Sequence, residues 1–297
     1  MNNVTFNKKG TIKYLTWTFL IAWIMQVAAA VLYWKGLAVF GQMLIAIMMF
    51  VPLLGVFLSG HTLSGMGWKP RLKGKIKMLL MAWFLPAFLT AIGAALYFVV
   101  FPGHFDTSGE YLAATAGPEI LEQLEAQGLT YSLYILISSV GCLTYAPLIN
   151  MFLAVGEEAG WRGFLYPQLK AKFGKRQGWL IGGIIWGMWH WPLIWLIGYE
   201  YGTDYVGFPI VGMLIFCIFT TVAGIMCDWL YEKTKCIWIP SIFHGAINAA
   251  GTVPLAVCTT DIGSARLLGP APLGVLAEVP FIICAVILFF KSAKTEE

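Results

Sequence analysis

The stretch YSLYILISSVGCLTYAPLINMFLAVGEEAGWRG, residues 131–163, sets a long apolar run directly against two glutamates and an arginine. About 20 predominantly apolar residues are enough to cross a bilayer as a helix. The run from Tyr131 to Val155 therefore reads as a membrane span, and Glu157, Glu158 and Arg162 fall where that span ends. Ionisable groups cost about 2.5–3.5 kcal/mol each at the centre of a membrane helix, so their presence near one calls for partners or a function.

Working outward, the same pattern recurs along the chain. Of its 297 residues 59% are hydrophobic and only 11% charged, too few charges to cover the surface of a soluble protein of this size. The mean hydropathy is +0.76. Apolar runs near 20 residues recur from end to end. This predicts an all-α, polytopic helical membrane protein rather than a transmembrane barrel, which would show short alternating segments. Six cysteines are scattered with no CxxC pair, so neither a disulfide framework nor a thiolate zinc site is indicated. The net charge of +4 carries no implication of nucleic-acid binding, because membrane topology accounts for the basic residues.

Eight spans are expected, at about 14–34, 37–59, 78–101, 131–156, 178–198, 207–230, 237–256 and 273–290. The connections between them then alternate in charge. Lys8, Lys9, Lys13, Lys69, Arg71, Lys73, Lys75, Lys77, Arg162, Lys170, Lys172, Lys175, Arg176, Lys233, Lys235, Lys291 and Lys294 fall on one side, 17 of the 19 basic residues. Lys35 and Arg266 fall on the other. The positive-inside rule places both termini in the cytoplasm, with an even number of spans, in what is expected to be the plasma membrane. Lysines, an apolar stretch and AAA at 28–30 imitate a signal peptide, but the apolar run continues to Trp34, so the segment is expected to remain as a span. The connection 102–130 contains GPEILEQLEAQG, expected to form a short amphipathic helix whose Glu119, Glu122 and Glu125 are solvated. One membrane domain is expected: residues 1–130 carry three spans and the outer loop, 131–253 form the core, and 254–297 hold the last loop, last span and tail.

Three polar clusters lie in apolar surroundings. In GEEAGWRG, Glu158 and Arg162 stand at i,i+4 and can pair, whereas Glu157 points about 100° away around the helix and is left over. In WGMWH, Trp186 and His190 share a face, and His190 lies near mid-membrane. In SIFHGAIN, Ser241, His244 and Asn248 form a stripe, behind a Pro240 expected to loosen the helix. A salt-bridged helix end and interhelical hydrogen bonds are the plainer readings of each cluster taken alone. Gly178, Gly182, Gly183 and Gly187 give two GxxxG spacings that suit close helix packing. His61 and His104 read as exposed loop residues, Asp228 as a partner of Lys233 or Lys235, and Glu278 has no evident role.

Together the clusters hold the parts for water-mediated hydrolysis. Glu157 can take a proton from water, and His190 can hold that water or pass a proton on. His244 and Asn248 can donate to a developing oxyanion. Alternatively Glu157, His190 and His244 could form a His2Glu zinc site, activating the same water. The motifs HExxH, GxSG and GxGD are absent from the sequence.

At these residues the chain resembles the CPBP group of intramembrane proteases, which includes the CAAX prenyl endopeptidase. The family pattern is EExxxR, FxxxH and HxxxN on separate transmembrane helices. Here it reads Glu157-Glu158-Ala-Gly-Trp-Arg162, Trp186-Gly-Met-Trp-His190 and His244-Gly-Ala-Ile-Asn248, with Trp186 where phenylalanine is usual. The resemblance implies Glu157 as water-activating base with His190 beside it, Glu158 and Arg162 in support, and His244 with Asn248 as an oxyanion hole. It implies a membrane-anchored peptide or protein as substrate. A metal-free glutamate mechanism is favoured over Zn2+. An immunity or regulatory protein on the same scaffold and a proton-coupled transporter are the competing readings, although the matching repeats of many transporters are not found.

Overall fold

The computed structural model describes residues 4–70 and 72–293. Fourteen α-helices follow one another among them: α1 (Lys8–Trp34), α2 (Ala38–Met48), α3 (Val51–Leu58), α4 (Ile76–Val100), α5 (Glu110–Ala116), α6 (Glu119–Ala126), α7 (Tyr131–Leu143), α8 (Ala146–Gly160), α9 (Tyr166–Phe173), α10 (Lys175–Trp189), α11 (Trp191–Ile197), α12 (Ile210–Thr234), α13 (Trp238–Ala256) and α14 (Val279–Ala293). The chain is an all-α, multi-pass membrane protein. The first helix is polar or small on its inner face and large and apolar on its outer one. α1 buries Thr11, Tyr14, Thr18, Ala22 and Gln26 while exposing Ile12, Leu20, Ile24 and Val27. Lipid explains that inversion, since hydrocarbon costs an exposed isoleucine nothing and penalises an exposed amide.

The expected spans are recovered unevenly. α1, α4, the α10–α11 stretch Lys175–Ile197 and α12 are each long and apolar enough to cross a membrane. The second expected span is the pair α2 and α3, bent by 45°. α6 and α7 are bent by 87°, and counting each bent pair as one span gives at most six by length and composition. The seventh and eighth expected spans are occupied by α13, of 19 residues, and α14, of 15. The fourth, expected as one helix over 131–156, is two. It breaks at Thr144–Tyr145, because Pro147 has no N–H to return to the Leu143 carbonyl. The indole of Trp83 on α4 donates to that carbonyl instead, at 3.0 Å.

The second half of this segment overruns its expected end. α8 passes without interruption through a π-helical turn, Trp161–Leu165, into α9. In that turn the Tyr166 N–H reaches back to the Trp161 carbonyl, one residue further than an α-helix would. The widened turn precedes Pro167, which could not have supplied the next α-helical bond. Glu157, Glu158 and Arg162 thus sit inside a continuous helical rod rather than at its frayed end.

α8, α10, α12 and α13 form the centre. The glycine spacings serve packing, as expected. A Cβ on Gly183 would strike the backbone of Thr221 on α12, and one on Gly187 would lie 2.6 Å from the Cys217 sulfur. Gly182 faces the Tyr166 ring of α9. On α13, Gly245 lies against the α8 backbone, where a Cβ would come within 2.6 Å of the Met151 nitrogen. Pro240 falls in the first turn of α13, where no N–H is needed, so it starts this helix rather than loosening it.

The loops rich in lysine meet at one end of the bundle. The Asn7 N–H donates to Gln168 at 2.7 Å, Lys75 reaches the Thr234 carbonyl, and the Trp238 indole donates to the Trp68 carbonyl at 2.8 Å. The opposite end joins residues 104–106 to 257–259 through backbone bonds. Tyr97 donates to or accepts from His104 there, at 2.8 Å. His61 likewise contacts Ser59 and Asn7. Both histidines are half-buried and partnered, not exposed loop residues as the sequence suggested, because long-range neighbours cover them.

Candidate active site

The polar clusters converge. Glu157 (2% exposed), Glu158 (0%) and Arg162 (0%) on the α8 rod gather with Trp186 of α10 and His244 of α13, and His190 at the end of α10 joins them through Trp186. The expected Glu158–Arg162 pair forms, Nη1 to Oε1 at 2.9 Å. His244 Nδ1 reaches the same Oε1, also at 2.9 Å, so one carboxylate oxygen serves a guanidinium and an imidazole. The Arg162 guanidinium lies over the faces of Trp186 (4.3 Å) and Tyr166 (4.8 Å), which supply negative π density in place of water.

Glu157 turns away from this pair, as its position around the helix requires. Its Oε2 accepts from the indole of Trp186 at 2.6 Å and from that of Trp161 at 3.1 Å. Its Oε1 has no protein partner yet is not sealed in, unlike Glu158 Oε2, which is both buried and unpartnered. His190 Nδ1 donates to the Trp186 carbonyl at 3.0 Å, leaving Nε2 with its lone pair facing outward from that bond. Trp186 is therefore the hub. Its N–H holds Glu157, its carbonyl holds His190, its ring covers Arg162, and its edge packs on His244 at 5.2 Å between ring centroids.

His190 stands at a helix break. Pro192 ends α10 by removing an N–H, and Leu193 turns its own N–H to the His190 carbonyl at 3.0 Å. The Trp189 carbonyl would be orphaned in the membrane interior. Gln26 of α1 repairs this: its amide donates to Trp189 O at 2.7 Å and accepts from Leu193 N at 3.2 Å. An amide at 0% exposure thereby fixes the histidine backbone from across the bundle.

The SIFHGAIN stripe separates. Ser241 Oγ donates to the Ile237 carbonyl at 2.8 Å and belongs to its own helix. His244 joins the site. Asn248 is exposed one turn beyond it, and no side-chain hydrogen bond ties it to the cluster. Asp228 does not pair with Lys233, which stands five residues along α12 and points away around the helix, or with Lys235, which follows the end of that helix. Its Oδ2 instead takes Lys170 and the Trp179 indole, each at 2.6 Å, while Lys170 and Lys175 also hold Glu232. This network ties α9 and α10 to α12. Glu278 is fully buried with neither oxygen partnered, and nothing in the structure explains it.

The donor set does not suit the His2Glu zinc alternative. Among the described residues no three His, Cys, Asp or Glu side chains gather as metal ligands.

Sequence reasoning missed Trp161 and Gln26. Trp161 stands at i+4 from Glu157, the same spacing that identified Arg162 from Glu158. Gln26 is a lone amide in an apolar span, a polar residue that defaults to a functional question in a membrane helix.

A buried acid–imidazole cluster, carried on three helices of a multi-pass membrane protein, defines the class of the site. Residues 131–250 match the family model described as Type II CAAX prenyl endopeptidase Rce1-like. This segment runs from α7 through most of α13 and contains Glu157, Glu158, Arg162, Trp186, His190, His244 and Asn248. The chain is also similar to a protein of Methanococcus maripaludis named CAAX prenyl protease 2, with 31% identity over 107 residues, 35% of this chain and 39% of that relative. The chain thus spans well under half the length of the curated relative it matches.

Proposed function

We propose that the protein is an intramembrane endopeptidase that hydrolyses a peptide bond of a membrane-associated substrate with water activated by Glu157 and His190. One observation carries this reading: Glu157 and His190 are fixed on the two ends of a single residue, Trp186, with one carboxylate oxygen and one imidazole nitrogen left unspent. The match to the Type II CAAX prenyl endopeptidase family supports it.

In this mechanism water sits between Glu157 Oε1 and His190 Nε2 and gives its proton to the carboxylate as its oxygen bonds to the scissile carbonyl carbon. The carbonyl becomes a tetrahedral oxyanion. His244, its ring held by the Nδ1 contact with Glu158 Oε1 at 2.9 Å, meets that charge. Asn248, one turn along α13, supplies a second donor once substrate covers it. The carbon–nitrogen bond then breaks, and the proton held on Glu157 passes to the departing amine. Glu158 is paired with Arg162 at 2.9 Å and takes no part in the proton transfer. No step passes through a metal.

The lysine-rich end of the bundle faces the cytoplasm, with both termini there, so substrate enters from the inner side. The relative's name, CAAX prenyl protease 2, makes a peptide with a prenylated cysteine near its C-terminus the first substrate class to try. The test is cleavage of a quenched fluorescent peptide carrying a farnesylated cysteine by the purified protein. Wild type cleaves it, whereas Glu157→Gln and His190→Ala each lose about 10²–10⁴-fold. Equal cleavage by wild type and Glu157→Gln overturns the proposal.

A further inference from the structure

Both indole donors at the site meet the same oxygen of Glu157. An indole N–H donates and cannot accept. A proton placed on Oε2 would face two N–H groups with nothing to receive it, whereas Oε1 has no protein partner. Neither ring can step aside. Trp161 is fully buried, edge-on to Tyr14 (6.1 Å) and Trp189 (5.9 Å). Trp186 is clamped between the Arg162 guanidinium at 4.3 Å and the His244 ring at 5.2 Å.

We infer that Trp186 is a positioning residue that divides the two oxygens of Glu157, its indole N–H holding Oε2 as a permanent acceptor so that Oε1 alone takes the proton from water. This rests on Glu157 being the base of the proposed peptidase. A phenylalanine here would fill the space over Arg162 and beside His244 but could not hold Oε2. The choice of tryptophan is thus a chemical difference, not an exchange of one ring for another.

The consequence is a pH dependence. A hydrogen bond to a carboxylate favours its ionised form. Removing the 2.6 Å donor makes Glu157 easier to protonate, so activity is lost at a higher pH as acid is added. The other groups that face Glu157 are Tyr14 of α1, Glu158 and Arg162 of its own rod, Tyr199, Cys227 of α12 and His244 of α13, with His190 reached through Trp186. All are unchanged in a Trp186→Phe variant, so a moved acid limb reports the lost N–H.

The experiment is a pH–rate profile for cleavage of the farnesylated peptide by wild type, Trp186→Phe and Glu157→Gln in the same detergent. Trp186→Phe is expected to shift the acid limb of kcat upward by about one pH unit, a tenfold loss below the limb. Its rate should return to within a few-fold of wild type on the alkaline side, with KM little changed. A second variant carrying benzothienylalanine at 186, sulfur in place of N–H in the same ring shape, should behave alike and covers the case in which phenylalanine disturbs folding. An unmoved limb in both variants, or a uniform loss at every pH, overturns the inference. Glu157→Gln separates the two claims. If it cleaves like wild type the peptidase reading falls. If it is inactive while the Trp186 variants keep the wild-type limb, only the role of Trp186 falls.

Discussion

Replacing Arg162 by methionine strands Glu158 at 0% exposure with only His244 beside it. Breaking a buried ion pair by removing one member costs about 3–5 kcal/mol, because the remaining charge cannot reach water. At about 2–4 °C per kcal/mol for a domain of a couple of hundred residues, the variant should melt on the order of 10 °C below wild type. Glu158→Leu should do the same by stranding the guanidinium, eased in part by the Trp186 and Tyr166 faces that already cover it. The double variant Glu158→Leu/Arg162→Met removes both charges, so most of the lost stability should return. Its activity should not return. His244 would have lost the carboxylate at 2.9 Å that holds its ring, and the loss of that oxyanion contact should leave cleavage about 10²–10³-fold down. Thermal melts in detergent read the first quantity, and turnover of the farnesylated peptide the second. A single variant as stable as wild type, or a double variant less stable than either single, would refute the reasoning.

Three further outcomes follow from the packing and the donor set. Gly245→Ala places a methyl 2.6 Å from the Met151 nitrogen and should push α13 off α8, costing about 1–3 kcal/mol and separating His244 from Glu158, as seen in melting and turnover. Gln26→Leu orphans the Trp189 carbonyl and should cost about 1–3 kcal/mol, with a loss of turnover because His190 follows that backbone; a variant indistinguishable from wild type in both readouts would contradict it. Treatment with a chelator followed by dialysis should leave peptide cleavage unchanged, since the site's histidines and glutamate do not gather as ligands; a loss restored by zinc would overturn the metal-free route.

Much of the site was legible because helical spacing is strict. Glu158 and Arg162 at i,i+4 had to share a face, and Glu157 had to leave it. The glycines of α10 announced close packing, which Thr221 and Cys217 then filled. What could not be read was decided by contacts far apart in sequence. Nothing near Asp228 marks Lys170 and Trp179 as its partners, 58 and 49 residues away. The break at Thr144–Tyr145 was hidden because its freed carbonyl is met by Trp83, on another helix. The helix carrying the glutamates continues through a π turn past its expected end, and only Pro167 hinted at that turn. Trp186 was read as an aromatic standing for an aromatic. Only the 2.6 Å contact to Glu157 separates it from phenylalanine.

The most direct test of the central claim is to map the C-termini of membrane-associated peptides and proteins in cells carrying the wild-type protein and in cells carrying Glu157→Gln at equal abundance. The account predicts termini that are trimmed in the wild type and untrimmed in the variant. Identical termini in both, with the wild-type protein folded and in the membrane, would contradict it.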